Sequence, residues 1–312
     1  MNQKQALTYP AQFAFLLGFM GVFMILSALL TGFLGTVFLQ VPYIQVIKEM
    51  NLPQHANFAR GINTLASFLT FFLPAFILAR LLQKNPFSQL GFHANMSSKQ
   101  VLWVVIITFA SMVLSGALGE LNEQIPLPAN LFKKAKELEE VYKTSMMGMV
   151  KMKNNADYGL AILVLAAAPA LFEEVLFRGG FQQVFIGWTK KPVTGIIITS
   201  VLFSAVHFSY FGFLPRVALG MVLGLIFFYS KNIWLSVLLH FLNNAFIVTQ
   251  LYAASKKGIS IEKTMDESMP IWWGVVALAV LLILFHSFRK ESALILATSQ
   301  TPIDSTPENP LS

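Results

Sequence analysis

The stretch Ala161-Ile-Leu-Val-Leu-Ala-Ala-Ala-Pro-Ala-Leu-Phe-Glu173-Glu174-Val-Leu-Phe-Arg178-Gly-Gly180 sets two adjacent carboxylates and an arginine inside an apolar run. A run of this kind reads as a membrane span, since crossing the hydrocarbon core takes ~20 apolar residues of helix. One charged side chain in that medium costs at least ~2.5 kcal/mol, so an intramembrane Glu pair is a functional-site hypothesis by default. Two further apolar segments each carry a histidine: Val201-Leu-Phe203-Ser-Ala-Val-His207 and Leu238-Leu-His240-Phe-Leu-Asn-Asn244.

Around these segments the rest of the chain has the same character. Of its 312 residues 55% are hydrophobic and only 12% charged, too apolar for an ordinary soluble domain. The apolar runs predict an all-α, polytopic integral membrane protein of about eight transmembrane helices. These fall at roughly 12–39, 61–83, 100–118, 158–187, 193–211, 214–230, 232–254 and 269–288. The expected organisation is one membrane domain over 1–288, with the chemistry on helices at 158–254, and a disordered tail at 289–312 whose end, from Thr298, is rich in Ser, Thr and Pro. The first segment is too long for the apolar core of a cleaved signal and reads as a retained span.

Cysteine is absent, which removes disulfides, thiolate ligands and a Cys nucleophile. The net charge of +7 is spread over connections rather than stacked on one element, which fits anionic lipid headgroups and speaks against nucleic acid. Lys84, Lys99, Lys190, Lys191 and Lys231 fall in short connections on one side, joined by Lys4, Arg289 and Lys290 near the ends. By the positive-inside rule both termini are expected to be cytoplasmic. The long connection from Gly119 to Asp157 carries six Lys on the other side, balanced by five Glu and one Asp. Within it Leu131, Ala135, Leu138, Tyr142 and Met146 recur at helical spacing opposite a charged face, predicting an amphipathic surface helix near 129–153.

Spacing assigns partners within the constellation. Glu174 and Arg178 stand four apart with the acid first, the register of a pair that shares one helical face and offsets part of its burial cost. Glu173 lies ~100° around the helix with no cation at that spacing, which makes it the carboxylate free to face a polar cavity. Pro169 has no amide hydrogen for the Leu165 carbonyl, so a disturbed helix is expected beside the pair.

Depth can be counted as well. From the turn at Thr189 to Pro192, Glu173 and His207 each lie ~14 residues in, about 21 Å deep; from Asn232 on the same side, His240 lies about 12 Å deep and Asn244 about 18 Å. His240 and Asn244 share a face by their i, i+4 spacing, as do Phe203 and His207, and Asn243 lies close to the former face. A carboxylate and an imidazole at one depth can activate water, while a second His and an Asn amide can donate to an oxyanion. That is the inventory of a peptide hydrolase with no covalent nucleophile.

The order Glu-Glu-x-x-x-Arg, Phe-x-x-x-His, His-x-x-x-Asn, met by Glu173, Glu174 and Arg178, by Phe203 and His207, and by His240 and Asn244, resembles the CPBP (Abi) family. This family comprises the CAAX-protease and bacteriocin-processing intramembrane proteases. The resemblance implies an intramembrane endopeptidase acting on a membrane-associated protein or peptide. Glu173 and His207 would activate water, His240 and Asn244 would stabilise the oxyanion, and Glu174, Arg178 and Phe203 would support the site. Members have been described both as metalloproteases and as metal-independent glutamate proteases. A zinc centre would draw on Glu173, His207 and His240, but the His-Glu-x-x-His signature is missing. The depth difference between the two histidines favours the metal-free form.

Two rival readings use the same residues. A proton-coupled transporter would employ the Glu and His as a relay, and a non-catalytic scaffold or self-immunity factor would keep the fold alone. Transport predicts inverted repeats with broken helices in paired halves, and the sequence displays neither. His55, His93 and His286 lie in or near connections and carry no expected role. Gly220-Met-Val-Leu-Gly224 predicts close helix packing.

Overall fold

The computed structural model describes residues 7–259 and 269–300, and every regular element in them is helical. The principal helices are α1 (Tyr9–Leu39), α2 (Pro53–Leu82), α3 (Ser98–Glu123), α4 (Ala129–Val150), α5 (Asn155–Thr189), α6 (Pro192–Ala205), α7 (Phe213–Ser230), α8 (Ile233–Lys256) and α9 (Ile271–Gln300). Among the described residues seven are long and apolar enough to cross a membrane: α1, α2, α3, α5, α7, α8 and α9. The chain is an all-α, multi-pass integral membrane protein.

The helices begin where local chemistry provides for their free amides. The Ser97 side chain accepts from Gln100 N while the Gln100 side chain accepts from Ser97 N, a reciprocal cap on α3. Asn154 caps α5 through Asp157 N, and Asn232 caps α8 through Trp234 N. The tight α5–α6 and α7–α8 turns each close on a lysine in the left-handed region, Lys190 (φ 57°) and Lys231 (φ 56°).

Two expectations about boundaries are corrected. The span expected at 193–211 stops at Ala205, so α6 has 14 residues and reaches about 21 Å at ~1.5 Å per residue, short of a crossing. His207 therefore stands beyond the helix, in a non-helical loop from Val206 to Gly212. Non-helical backbone in a membrane protein persists only where its polar groups are satisfied inside the protein. Here Asn122 of α3 donates to Tyr210 O (2.9 Å) and accepts from Leu214 N (2.9 Å), and Ser204 Oγ donates to Phe213 O (2.8 Å). The second correction concerns the tail. The last helix does not end at 288 but runs to Gln300, because Glu291 accepts from Ser97 Oγ (2.7 Å) and Ser292 Oγ accepts from Gln100 Nε2 (3.0 Å), which docks it on α3. Residues 301–312 of that expected tail, and Lys4, lie outside the described residues.

The most enclosed span is α5, whose Leu176, Phe177 and Phe181 are fully buried. The disturbance expected at Pro169 takes the form of a π-helical stretch, Ile162–Ala167, in which Ala168 N bonds five residues back to Leu163 O. The same device precedes Pro74 in α2, where Leu73 N reaches Phe68 O. A widened turn just before a proline accommodates the residue that cannot donate, and such turns are frequent at functional sites. Glycines allow the core helices to approach closely. A Cβ on Gly220 would sit 3.0 Å from Ser200 Cα, and one on Gly224 2.8 Å from Gln182 Oε1, the packing expected of that pair.

Candidate active site

The π-bulged α5 presents Glu173 and Glu174 to α8. Glu174 is wholly buried, and its two oxygens are divided: Oε2 accepts from Arg178 Nε at 2.9 Å, and Oε1 accepts from His240 Nδ1 at 3.0 Å. The i, i+4 pair is thus formed, but its acid also grips the histidine of α8, a contact the spacing could not disclose. Because the carboxylate can only accept, His240 carries a proton on Nδ1, and its Nε2 faces Glu173 Oε2 across 3.9 Å. That separation is too long for a direct hydrogen bond. Glu173 Oε2 is buried with no protein partner.

Phe203 stands at the centre of the group. Its ring meets those of His207 (5.1 Å between centroids) and His240 (5.8 Å) edge-on, and the Arg178 guanidinium lies 5.4 Å from its centroid. Arg178 Nη1 and Nη2 have no hydrogen-bond acceptor, so the aromatic face is their main compensation. The Phe203 carbonyl accepts from His207 Nδ1 at 2.7 Å. A carbonyl has no hydrogen to give, so neutral His207 holds its proton on Nδ1 and presents a basic Nε2.

Thus Glu173, Glu174, Arg178 and His240 come together directly, and Phe203 links them to His207. Glu173 and His207 share no hydrogen bond or ion pair among the described residues. The ~9 Å depth difference counted for the two histidines assumed helical rise as far as His207, which instead lies on a loop beyond the end of α6, while His240 bonds Glu174 directly. Asn243 is buried and donates to Asn244 Oδ1 (3.2 Å), leaving Asn244 the amide whose own N–H groups are uncommitted among the described residues. Among the described residues no three His, Asp or Glu side chains are grouped so as to hold a metal ion.

The sequence reading passed over Arg216. It is the one charged residue in the apolar α7 stretch Phe213–Ser230, and its charge lies within electrostatic reach of both Glu173 and His207. An intramembrane arginine is as much a signal as an intramembrane glutamate, and that rule alone would have found it. Elsewhere, a cleft of about 410 Å³ between α1 and α2 is lined wholly by Phe and Leu and offers no chemistry.

No curated protein and no solved structure matches the chain. Residues 155–246, which carry all three motifs from Glu173 to Asn244, match the family model described as Type II CAAX prenyl endopeptidase Rce1-like, in agreement with the CPBP resemblance read from those motifs.

Proposed function

We propose that this chain is an intramembrane endopeptidase that hydrolyses a peptide bond of a membrane-associated protein or peptide by a metal-free Glu/His mechanism. The observation that carries the proposal is the Arg178–Glu174–His240 chain standing beside a Glu173 oxygen that has no protein partner. In this reading the Glu173 carboxylate takes a proton from water, assisted by His207 Nε2, and the hydroxide adds to the scissile carbonyl carbon. The resulting oxyanion accepts from Asn244 Nδ2 and from Nε2–H of His240 in its imidazolium form, which donates from both nitrogens, the other to Glu174. When the C–N bond breaks, the proton held by Glu173 passes to the leaving amine.

The match over 155–246 supports protease chemistry of the CAAX type. The ligand grouping supports the metal-free form, since the three residues a zinc ion would need are not assembled together. The test is Glu173→Gln in the full chain reconstituted in phosphatidylcholine–phosphatidylglycerol vesicles, with a quenched fluorescent lipidated peptide ending in a C-a-a-X motif as probe. Peptide profiles of membranes carrying the wild type and the variant broaden the search for substrate. Expected is a loss of at least ~100-fold with insertion and melting temperature retained. Wild-type turnover by Glu173→Gln would sink the mechanism.

A further inference from the structure

His207 is held on a loop that is itself gripped from two sides. From α4, Glu139 Oε2 accepts from Ser209 Oγ at 2.7 Å, and Phe132 meets Phe211 edge-on at 6.3 Å. From α7, Arg216 Nη1 donates to Ser209 O at 3.3 Å, and its guanidinium lies against Gly212, where a Cβ would come within 2.5 Å of Cζ. The two grips meet, because the Arg216 guanidinium also stands 5.4 Å from the centroid of the Tyr142 ring of α4. No acidic side chain pairs with Arg216 among the described residues. At the centre of the loop Phe208 takes φ 51° with 70% of its surface exposed, a conformation that costs a bulky residue energy and persists only when its surroundings impose it.

We propose that Arg216 is a positioning residue, which acts with Glu139 and Tyr142 of the surface helix α4 to hold the Val206–Gly212 loop so that His207 stays aligned with Glu173. The inference rests on the reading of His207 as a catalytic group. It gives α4 a role that its amphipathic pattern did not convey: α4 is a splint for the active-site loop. Arginine suits the task better than lysine, since one planar fork can donate to the Ser209 carbonyl, lie on glycine and stack on tyrosine together.

The test uses Arg216→Gln, Arg216→Lys and Glu139→Gln in the reconstituted full chain, with the lipidated C-a-a-X peptide as probe. Hydrogen–deuterium exchange of the loop is read in parallel. Arg216→Gln should lower kcat by ~10- to 100-fold, the scale of a misplaced catalytic group, and leave KM within about threefold. Arg216→Lys should recover only part of kcat, and Glu139→Gln should show a smaller loss of the same kind. In Arg216→Gln and Glu139→Gln, amides 206–212 should exchange faster while α6 and α7 keep their protection.

A rise in KM with kcat unchanged would assign Arg216 to substrate binding and overturn the proposal, as would wild-type loop exchange in Arg216→Gln. Faster exchange throughout α6 and α7 would reduce Arg216 to a general structural role and overturn it too. The functional reading fails separately. If His207→Ala cleaves the probe as the wild type does, or if the wild type cleaves nothing, the exchange of the loop still decides whether Arg216 and Glu139 hold it.

Discussion

Glu174 Oε1 and His240 Nδ1 lie 3.0 Å apart, with Glu174 wholly buried and its other oxygen on Arg178. One carboxylate thus orients the imidazole of α8 and neutralises the guanidinium of its own helix. The neighbouring Glu173 is left without either duty. Two adjacent residues of one type are distinguished by which way each points from the helix: Glu174 is held by two partners, and Glu173 Oε2 has no hydrogen-bond partner.

That separation predicts opposite outcomes for the same substitution. Glu174→Gln uncouples Arg178 and His240 at once, and breaking a buried pair from one side costs ~3 to 5 kcal/mol. Thermal unfolding in detergent should show a clear loss of stability together with loss of activity, whereas Glu173→Gln loses activity alone. Equal melting temperatures for the two variants would contradict this division.

The α5–α6 hairpin depends on the absence of a side chain at Gly195. A Cβ there would sit 2.7 Å from the backbone nitrogen of Ile186, an atom that cannot move aside without the helix. Gly195→Ala should therefore destabilise by ~1 to 3 kcal/mol, as overpacking does. Gly61→Ala is the control, because nothing lies within 4 Å of its added Cβ and the helix propensity gained is worth ~1 kcal/mol. Melting curves of both variants check the contrast.

A metal-free mechanism predicts full probe cleavage after exhaustive dialysis against a chelator. Activity abolished by the chelator and restored by zinc, with stoichiometric zinc in the purified active protein, would replace that mechanism with a metal-dependent one.

The distribution of lysine predicts the orientation in the bilayer. The chain has no cysteine of its own, so a single introduced one reports without background. Lys191→Cys, in the α5–α6 turn, should react with an impermeant maleimide only from the cytoplasmic side, and Lys136→Cys on α4 only from the opposite side. The reverse pattern would place the α5–α6 turn outside.

Most of the fold and the candidate site residues can be read directly from the chain, because the bilayer simplifies the problem. A medium without water forces backbone polar groups into helices, so length and apolarity alone locate the spans. It makes each buried charge costly enough to be conspicuous, and Glu173, Glu174, Arg178, His207 and His240 stand out for that reason. Intrahelical spacing likewise pairs Glu174 with Arg178, since both belong to one regular element.

What the chain does not declare lies between elements. The early end of α6 depends on Asn122, Ser204 and Ser209 meeting a loop whose turn signals are few, and the continuation of α9 to Gln300 depends on two side-chain contacts with α3. The bond from His240 to Glu174 spans 66 positions and that from Ser209 to Glu139 spans 70; like the contact of Phe203 with His240 and that of Tyr142 with Arg216, they join separate elements. Periodicity reports which face of one helix is apolar or charged. Which faces of different helices meet, and at what height, is decided by packing and by where the connecting loops find hydrogen-bond partners.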